Sequence, residues 1–72
     1  MIIYKLILED NNVKRYEYYP EGDVSAAGVI EFKNGEGAKL ISPSPNDVKM
    51  YYAVHALTGI DTTKETGTIA WY

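Results

Sequence analysis

His55 is the only histidine in this 72-residue chain, and no cysteine accompanies it, so any acid–base chemistry near neutral pH has to start from that imidazole. General-base work also needs a nucleophile within hydrogen-bond reach. Ser44 lies eleven positions earlier. On one continuous helix that spacing separates the backbones by about 16 Å at 1.5 Å per residue, too far for a dyad within one molecule. Ser25 and Ser42 reach the imidazole only through folding that no local pattern foretells. No catalytic residue is therefore assigned. The enzymatic alternative is His55 acting at a subunit interface, where a second copy supplies the missing groups.

Metal and phosphate chemistry fare no better. A single histidine without cysteine falls short of a three- or four-ligand zinc site, and residues 61–66 (Asp-Thr-Thr-Lys-Glu-Thr) lack the glycine and oxygen-ligand spacing of a calcium loop. Gly35-Glu36-Gly37 precedes a strand-like run and places a carboxylate where a phosphate would approach. No metal and no cofactor is expected.

The charge balance narrows the partners. Ten acidic and seven basic residues give a net charge of -3, and the charges are scattered. Duplex nucleic acid is not an expected ligand, because neutralising several phosphates requires a basic patch. Single-stranded nucleic acid remains an alternative function: tyrosines on a sheet can stack bases, and Tyr4, Tyr16 and Tyr18 beside Lys5, Lys14 and Arg15 would form the platform. The start of the chain has neither the basic leader nor the cleavage site of a signal peptide, and no apolar run approaches the roughly 20 residues of a membrane span. A cytoplasmic protein with no membrane partner is the expectation.

The elements that must carry these residues are legible from their punctuation. Alternating apolar residues predict strands over 1–8, 13–19, 28–33, 38–42 and 67–72, with 24–27 an uncertain lead-in to the third. The first reads as buried on both faces. Residues 9–12 (Glu-Asp-Asn-Asn) and 20–23 (Pro-Glu-Gly-Asp) are turn clusters, and Asn34-Gly35 marks a tight hairpin. The last strand places Ile69 and Trp71 on one face, and its end is expected to dock in the sheet.

A helix is predicted over 45–57, with Ser44 at N-cap, Pro45 at N1, Asp47 at N3 and Gly59 in a left-handed terminating position. The order β-β-β-β-α-β describes a single α+β domain over 1–72: a mainly antiparallel sheet of about five strands with one helix across a face.

That helix has two apolar faces. Met50, Ala53, Val54 and Leu57 follow core-facing spacing, while Val48, Tyr51, Tyr52 and His55 repeat it about half a turn away. A chain this short buries only about 60% of its unfolded surface, and seven tyrosines exceed what so small a core encloses. Val48, Tyr51, Tyr52 and His55 are therefore the candidate partner-binding surface of a non-enzymatic interaction domain. The expected partner is a second copy in a homodimer, or another protein.

Overall fold

A computed structural model describes residues 1–70; Trp71 and Tyr72, assigned above to the last strand, lie outside the described residues. Five strands form one antiparallel sheet: β1 (Ile2–Asp10), β2 (Val13–Pro20), β3 (Gly28–Lys33), β4 (Gly37–Ser42) and β5 (Thr66–Ile69), in spatial order β4-β3-β2-β1-β5. The first four strands make a meander, with tight turns after β1 and β3 and a longer connection carrying the 3-10 turn Val24–Ala26 between β2 and β3. The 33–37 turn closes with the Glu36 N–H donating to the Lys33 carbonyl, and positive φ falls on Gly35 and Gly37, leaving Asn34 in ordinary backbone. The chain then crosses the sheet through α1 (Tyr51–Gly59), which packs against β3, β4 and β5. It returns as β5 beside β1, pairing Ile69 with Ile2 and Thr66 with Lys5.

Among the described residues, α1 covers one face of the sheet. Ile2, Tyr4, Tyr16, Tyr18 and Ile30 are buried against Ala53, Ala56 and Ile60, with Leu6, Phe32, Leu40 and Ile69 packed around them. The other face carries Lys5 across from Glu17 and a 2.9 Å Arg15–Glu31 ion pair. β1 is thus buried on one side, contrary to the two-sided burial read from its sequence. Ile3 and Ile7 on the opposite side are exposed, because no element among the described residues packs over that face.

The tyrosines solve a shape problem. A nine-residue helix that offers the sheet mainly two alanines leaves depth to fill, and the rings of Tyr4, Tyr16 and Tyr18 fill it. Tyr16 meets Tyr4 and Phe32 edge-to-face, with centroids 5.8 Å apart in both pairs. The other two rings lie over glycines on the neighbouring strand: Tyr18 pairs with Gly28, and Tyr4 with Gly67. A Cβ built on Gly28 would stand 2.2 Å from Tyr18 Cε1, and one on Gly67 2.3 Å from the Tyr4 hydroxyl.

The helix begins six residues later than its sequence signals suggest. Ser44 and Pro45 are not N-cap and N1 of α1, because Ser44 is held elsewhere. Its N–H donates to the Tyr18 hydroxyl (3.0 Å), and its own hydroxyl donates to the Ala26 carbonyl while accepting from the Asn46 N–H. Residues 44–50 instead make successive turns, with the Asp47 N–H on the Ser44 carbonyl and the Met50 N–H on the Asp47 carbonyl. Asp47 still caps, from outside the helix: its carboxylate accepts from the N–H groups of Tyr52 (3.1 Å) and Ala53 (2.8 Å). Gly59 has no positive φ. Ile69 leaves no room beside it, since an added Cβ would come within 3.0 Å of that side chain.

Met50 occupies the N-cap position at φ 62°, in the left-handed region, without a capping side chain. An L-residue other than glycine is disfavoured there by about 1–2 kcal/mol. Met50→Gly is therefore expected to raise the stability of the isolated chain by about 1 kcal/mol, or about 4–8 °C in Tm, checked by thermal denaturation at low protein concentration.

Candidate interaction surface

The late helix start rearranges the side chains assigned to its two faces. Ala53 is buried and Leu57 half-buried, as core positions should be, but Met50 and Val54 are exposed, correcting their place in the core stripe. Ala56 and Ile60 take over the core contact. On the presumed second face, Val48 and Tyr51 are exposed, whereas Tyr52 and His55 are half-buried on the helix flank. Val48, Tyr51, Tyr52 and His55 therefore do not form one open face. The exposed set is Val48 (90%), Met50 (40%), Tyr51 (65%) and Val54 (57%). Sequence reasoning missed Met50 and Val54 as surface residues; the shift of register follows from the left-handed backbone at Met50, which no pattern of apolar residues announces.

Two arms brace this surface from beneath. The Tyr52 hydroxyl donates to the Glu21 carboxylate at 2.9 Å, and the same oxygen receives the Met1 amino group at 3.0 Å. These hydrogen bonds hold the Glu21 carboxyl below the usual carboxylate range. On the other arm, Asn46 Nδ2 donates to Asp23 (3.3 Å), and Asp23 also accepts from the backbone and hydroxyl of Ser25, which lowers its pKa. The segment before α1 is thereby tied to the short 3-10 turn Val24–Ala26.

The tyrosines assigned to a nucleic-acid platform are placed differently. Tyr4, Tyr16 and Tyr18 lie under α1, on the helix side of the sheet, with 3%, 0% and 0% of their surface exposed. No base can stack on them. Their hydroxyls pin the loops flanking the helix: Tyr18 accepts from Ser44 at one end, Tyr16 donates to the Lys64 carbonyl (2.7 Å) at the other, and Tyr4 accepts from the Asp61 N–H (3.3 Å). Lys14 joins them by donating to the Thr62 carbonyl at 2.6 Å. A cleft of about 400 Å³ opens between the two hairpin turns over Lys14, Phe32 and Thr62, on the far side of these loops from the helix start.

Burial pushes the phenols of Tyr16 and Tyr18 upward, and burial together with the hydrogen bond to Glu17 pushes Tyr19 up to about 12. These acids hold their protons longer in the folded state than in the unfolded one. Between pH 10 and 12 the unfolded chain therefore binds fewer protons, and stability falls as pH rises. Urea midpoints are expected to decline through that window, with tyrosinate absorbance lagging until the chain unfolds. Tyr19→Phe should make the decline shallower.

Ser44 and Ser25, considered as partners for His55, donate their hydroxyl protons to other groups. Ser44 precedes α1, so it does not share a helix with His55, and its hydroxyl proton rests on Ala26. Ser25 donates its own to Asp23. Among the described residues, no three His, Cys, Asp or Glu side chains are grouped to hold a metal ion, and no helix is long and apolar enough to cross a membrane. Comparison with protein-family models, curated proteins and solved structures finds no match.

Proposed function

We propose that this chain is a non-enzymatic protein-interaction domain, acting in the cytoplasm, that associates with further copies of itself through the surface at the start of α1. The observation that carries this reading is the grouping of Val48, Met50, Tyr51 and Val54, four large apolar side chains exposed within seven residues. Isolated apolar residues are ordinary on a protein surface, but a contiguous group marks a contact site. Met50 strengthens the reading, since its backbone is strained while its side chain is exposed, and core packing does not explain a methionine there. Tyr52 and His55 then serve as the half-buried margin of the surface.

Four such side chains cover on the order of 400 Å², about half of what each partner buries in a stable complex. Association is therefore expected to depend on concentration. Light scattering behind size exclusion should give an average mass that climbs above 8.1 kDa as the protein is concentrated, while a folded Tyr51→Ser/Val54→Ser variant stays at the monomer mass. A folded variant that associates as the parent does would remove the surface from consideration.

A further inference from the structure

Four asparagines stand at positions 11, 12, 34 and 46, and their surroundings differ in the respect that decides how an asparagine ages. The side-chain amide carbon, Cγ, is open to attack by the backbone nitrogen of the following residue. That nitrogen must be unhindered, and its N–H must not be held by an acceptor.

Three of the four are protected. The Asp47 N–H, after Asn46, donates to the Ser44 carbonyl at 3.0 Å, and Asn46 Nδ2 itself donates to Asp23 at 3.3 Å. Asn11 and Asn12 are each followed by a residue that carries a side chain. Val13, after Asn12, is branched at Cβ and pairs with Asp10 in the β1–β2 ladder.

Asn34 meets both conditions. Gly35 puts no Cβ beside its nitrogen, and nothing lies within 4 Å of the place a Cβ would take. The flanking N–H groups are engaged, Asn34 on the Asn12 carbonyl (2.8 Å) and Glu36 on the Lys33 carbonyl (2.9 Å). The Gly35 N–H between them has no acceptor among the described residues, and the Asn34 side chain makes no hydrogen bond among them. Both residues are exposed, so these groups face water.

The turn can also present the nitrogen. The closing bond from residue 36 to residue 33, with φ of 84° at Gly35 and no positive φ at Asn34, makes this a type II turn. Types I and II differ by rotation of the central peptide and share the closing bond. Glycine accepts either orientation. The peptide that has to swing toward Asn34 Cγ is thus the one the hairpin does not hold.

We infer that Asn34 is a site of spontaneous covalent modification, through a cyclic imide formed with Gly35. The Gly35 nitrogen gives its proton to solvent base and bonds to Asn34 Cγ. The Cγ–Nδ2 bond breaks, and the amide nitrogen leaves as ammonia after taking a proton back from solvent. Water then opens the ring, and nothing is oxidised or reduced. Cleavage between the nitrogen and Cγ leaves aspartate in an ordinary backbone. Cleavage between the nitrogen and the main-chain carbonyl carbon leaves isoaspartate, whose backbone runs through Cβ and Cγ.

Either product adds a negative charge to a chain of net charge -3, next to Lys33, which already pairs with Glu36 at 3.2 Å. Isoaspartate also lengthens the main chain by one atom inside the turn. The Glu36–Lys33 and Asn34–Asn12 bonds then no longer fit one backbone, and Asn12 and Asn34 wall the cleft between the two hairpin turns. Ageing at this position loosens that cleft.

The test incubates the full-length chain at physiological temperature and mildly alkaline pH, following each asparagine by peptide mapping and isoaspartate by enzymatic methylation. Asn34 is expected to convert to both products while the other three stay amides, and the rate should rise with pH. Gly35→Ala, accepted if its circular dichroism matches the parent's, should slow conversion about tenfold, equivalent to about 1.4 kcal/mol in the barrier. Asn34→Gln, whose longer side chain does not close the same ring, should gain no charge. The isoaspartate form, separated by ion exchange, should melt about 4–8 °C below the parent, the loss of roughly one hydrogen bond. If Asn34 stays an amide in the folded chain while converting in urea, the turn locks the peptide and the inference fails. It fails equally if another asparagine converts first, or if Gly35→Ala converts as fast as the parent.

Discussion

Gly28→Ala is expected to lower Tm by at least 10 °C, the largest effect of any single methyl group added to this protein. The added Cβ would stand 2.2 and 2.3 Å from two atoms of the Tyr18 ring and 2.6 Å from its hydroxyl oxygen, and that side chain has no accessible surface through which to retreat. Tyr18 is further held at its tip by the Ser44 N–H. Relief therefore requires shifting β3 away from β2 or swinging the ring out and breaking that hydrogen bond. Overpacking costs about 1–3 kcal/mol in a tolerant core, and loss of the Ser44 contact adds about 1–3 kcal/mol. Against a total stability of roughly 4–10 kcal/mol for a chain of this length, the domain would be near its limit.

Gly35→Ala supplies the control. Nothing lies within 4 Å of the position its Cβ would take, so only the positive φ of 84° opposes it, at about 1–2 kcal/mol. If the two variants melt together, backbone conformation rather than the ring governs Gly28. Trimming the ring should distinguish the cases again: Tyr18→Leu is expected to recover part of the stability lost in Gly28→Ala, a coupling that double-mutant analysis measures.

Asp47→Ala is expected to cost about 2–3 kcal/mol and to fray the first turn of α1, seen as reduced helical circular dichroism together with a lower urea midpoint. The carboxylate is 5% exposed and uses both oxygens, one on the Tyr52 N–H and one on the Ala53 N–H in the first turn of α1. Asp47→Asn should recover little, because the amide presents an N–H to one of those donors. A cost below about 0.5 kcal/mol, the level of an ordinary surface substitution, would mean that water replaces the carboxylate freely. Since this cap fixes where the helix begins, the same variant should also weaken self-association.

The parts of this architecture visible in the sequence are those settled within a few residues. Asn34-Gly35 and the 9–12 cluster act through their own backbone, and the hairpins they mark are present; Pro20-Glu21-Gly22 likewise ends β2 as expected. The helix start was misread because its signal is also local. Ser44-Pro45-Asn46-Asp47 has the composition of a cap, but Tyr18 and Ala26 hold Ser44 from positions far away in the chain. Asp47 then performs its capping role across Met50. The half-turn error in assigning the exposed surface follows directly. Tyrosine misled for a different reason: its polar tip suggests a surface, while its ring supplies the bulk that Ala53 and Ala56 lack. Whether a hydroxyl reaches water or a loop carbonyl is decided by the loops at 43–47 and 61–65, whose paths depend on the finished sheet.

The pairing of Ile2 with Ile69 has a mechanical consequence. β1 and β5 run antiparallel, and their outer ends, where the flanking chain departs, lie side by side. Tension applied through those flanks would fall on the Ile2–Ile69 rung first and then on each rung in turn, so the strands would peel apart at low force. Tension between the helix start and the Ile7–Asp10 stretch runs along the strands and loads several rungs of the β1–β2 ladder together. The molecule is thus weak when drawn by its flanks and strong when drawn along its length.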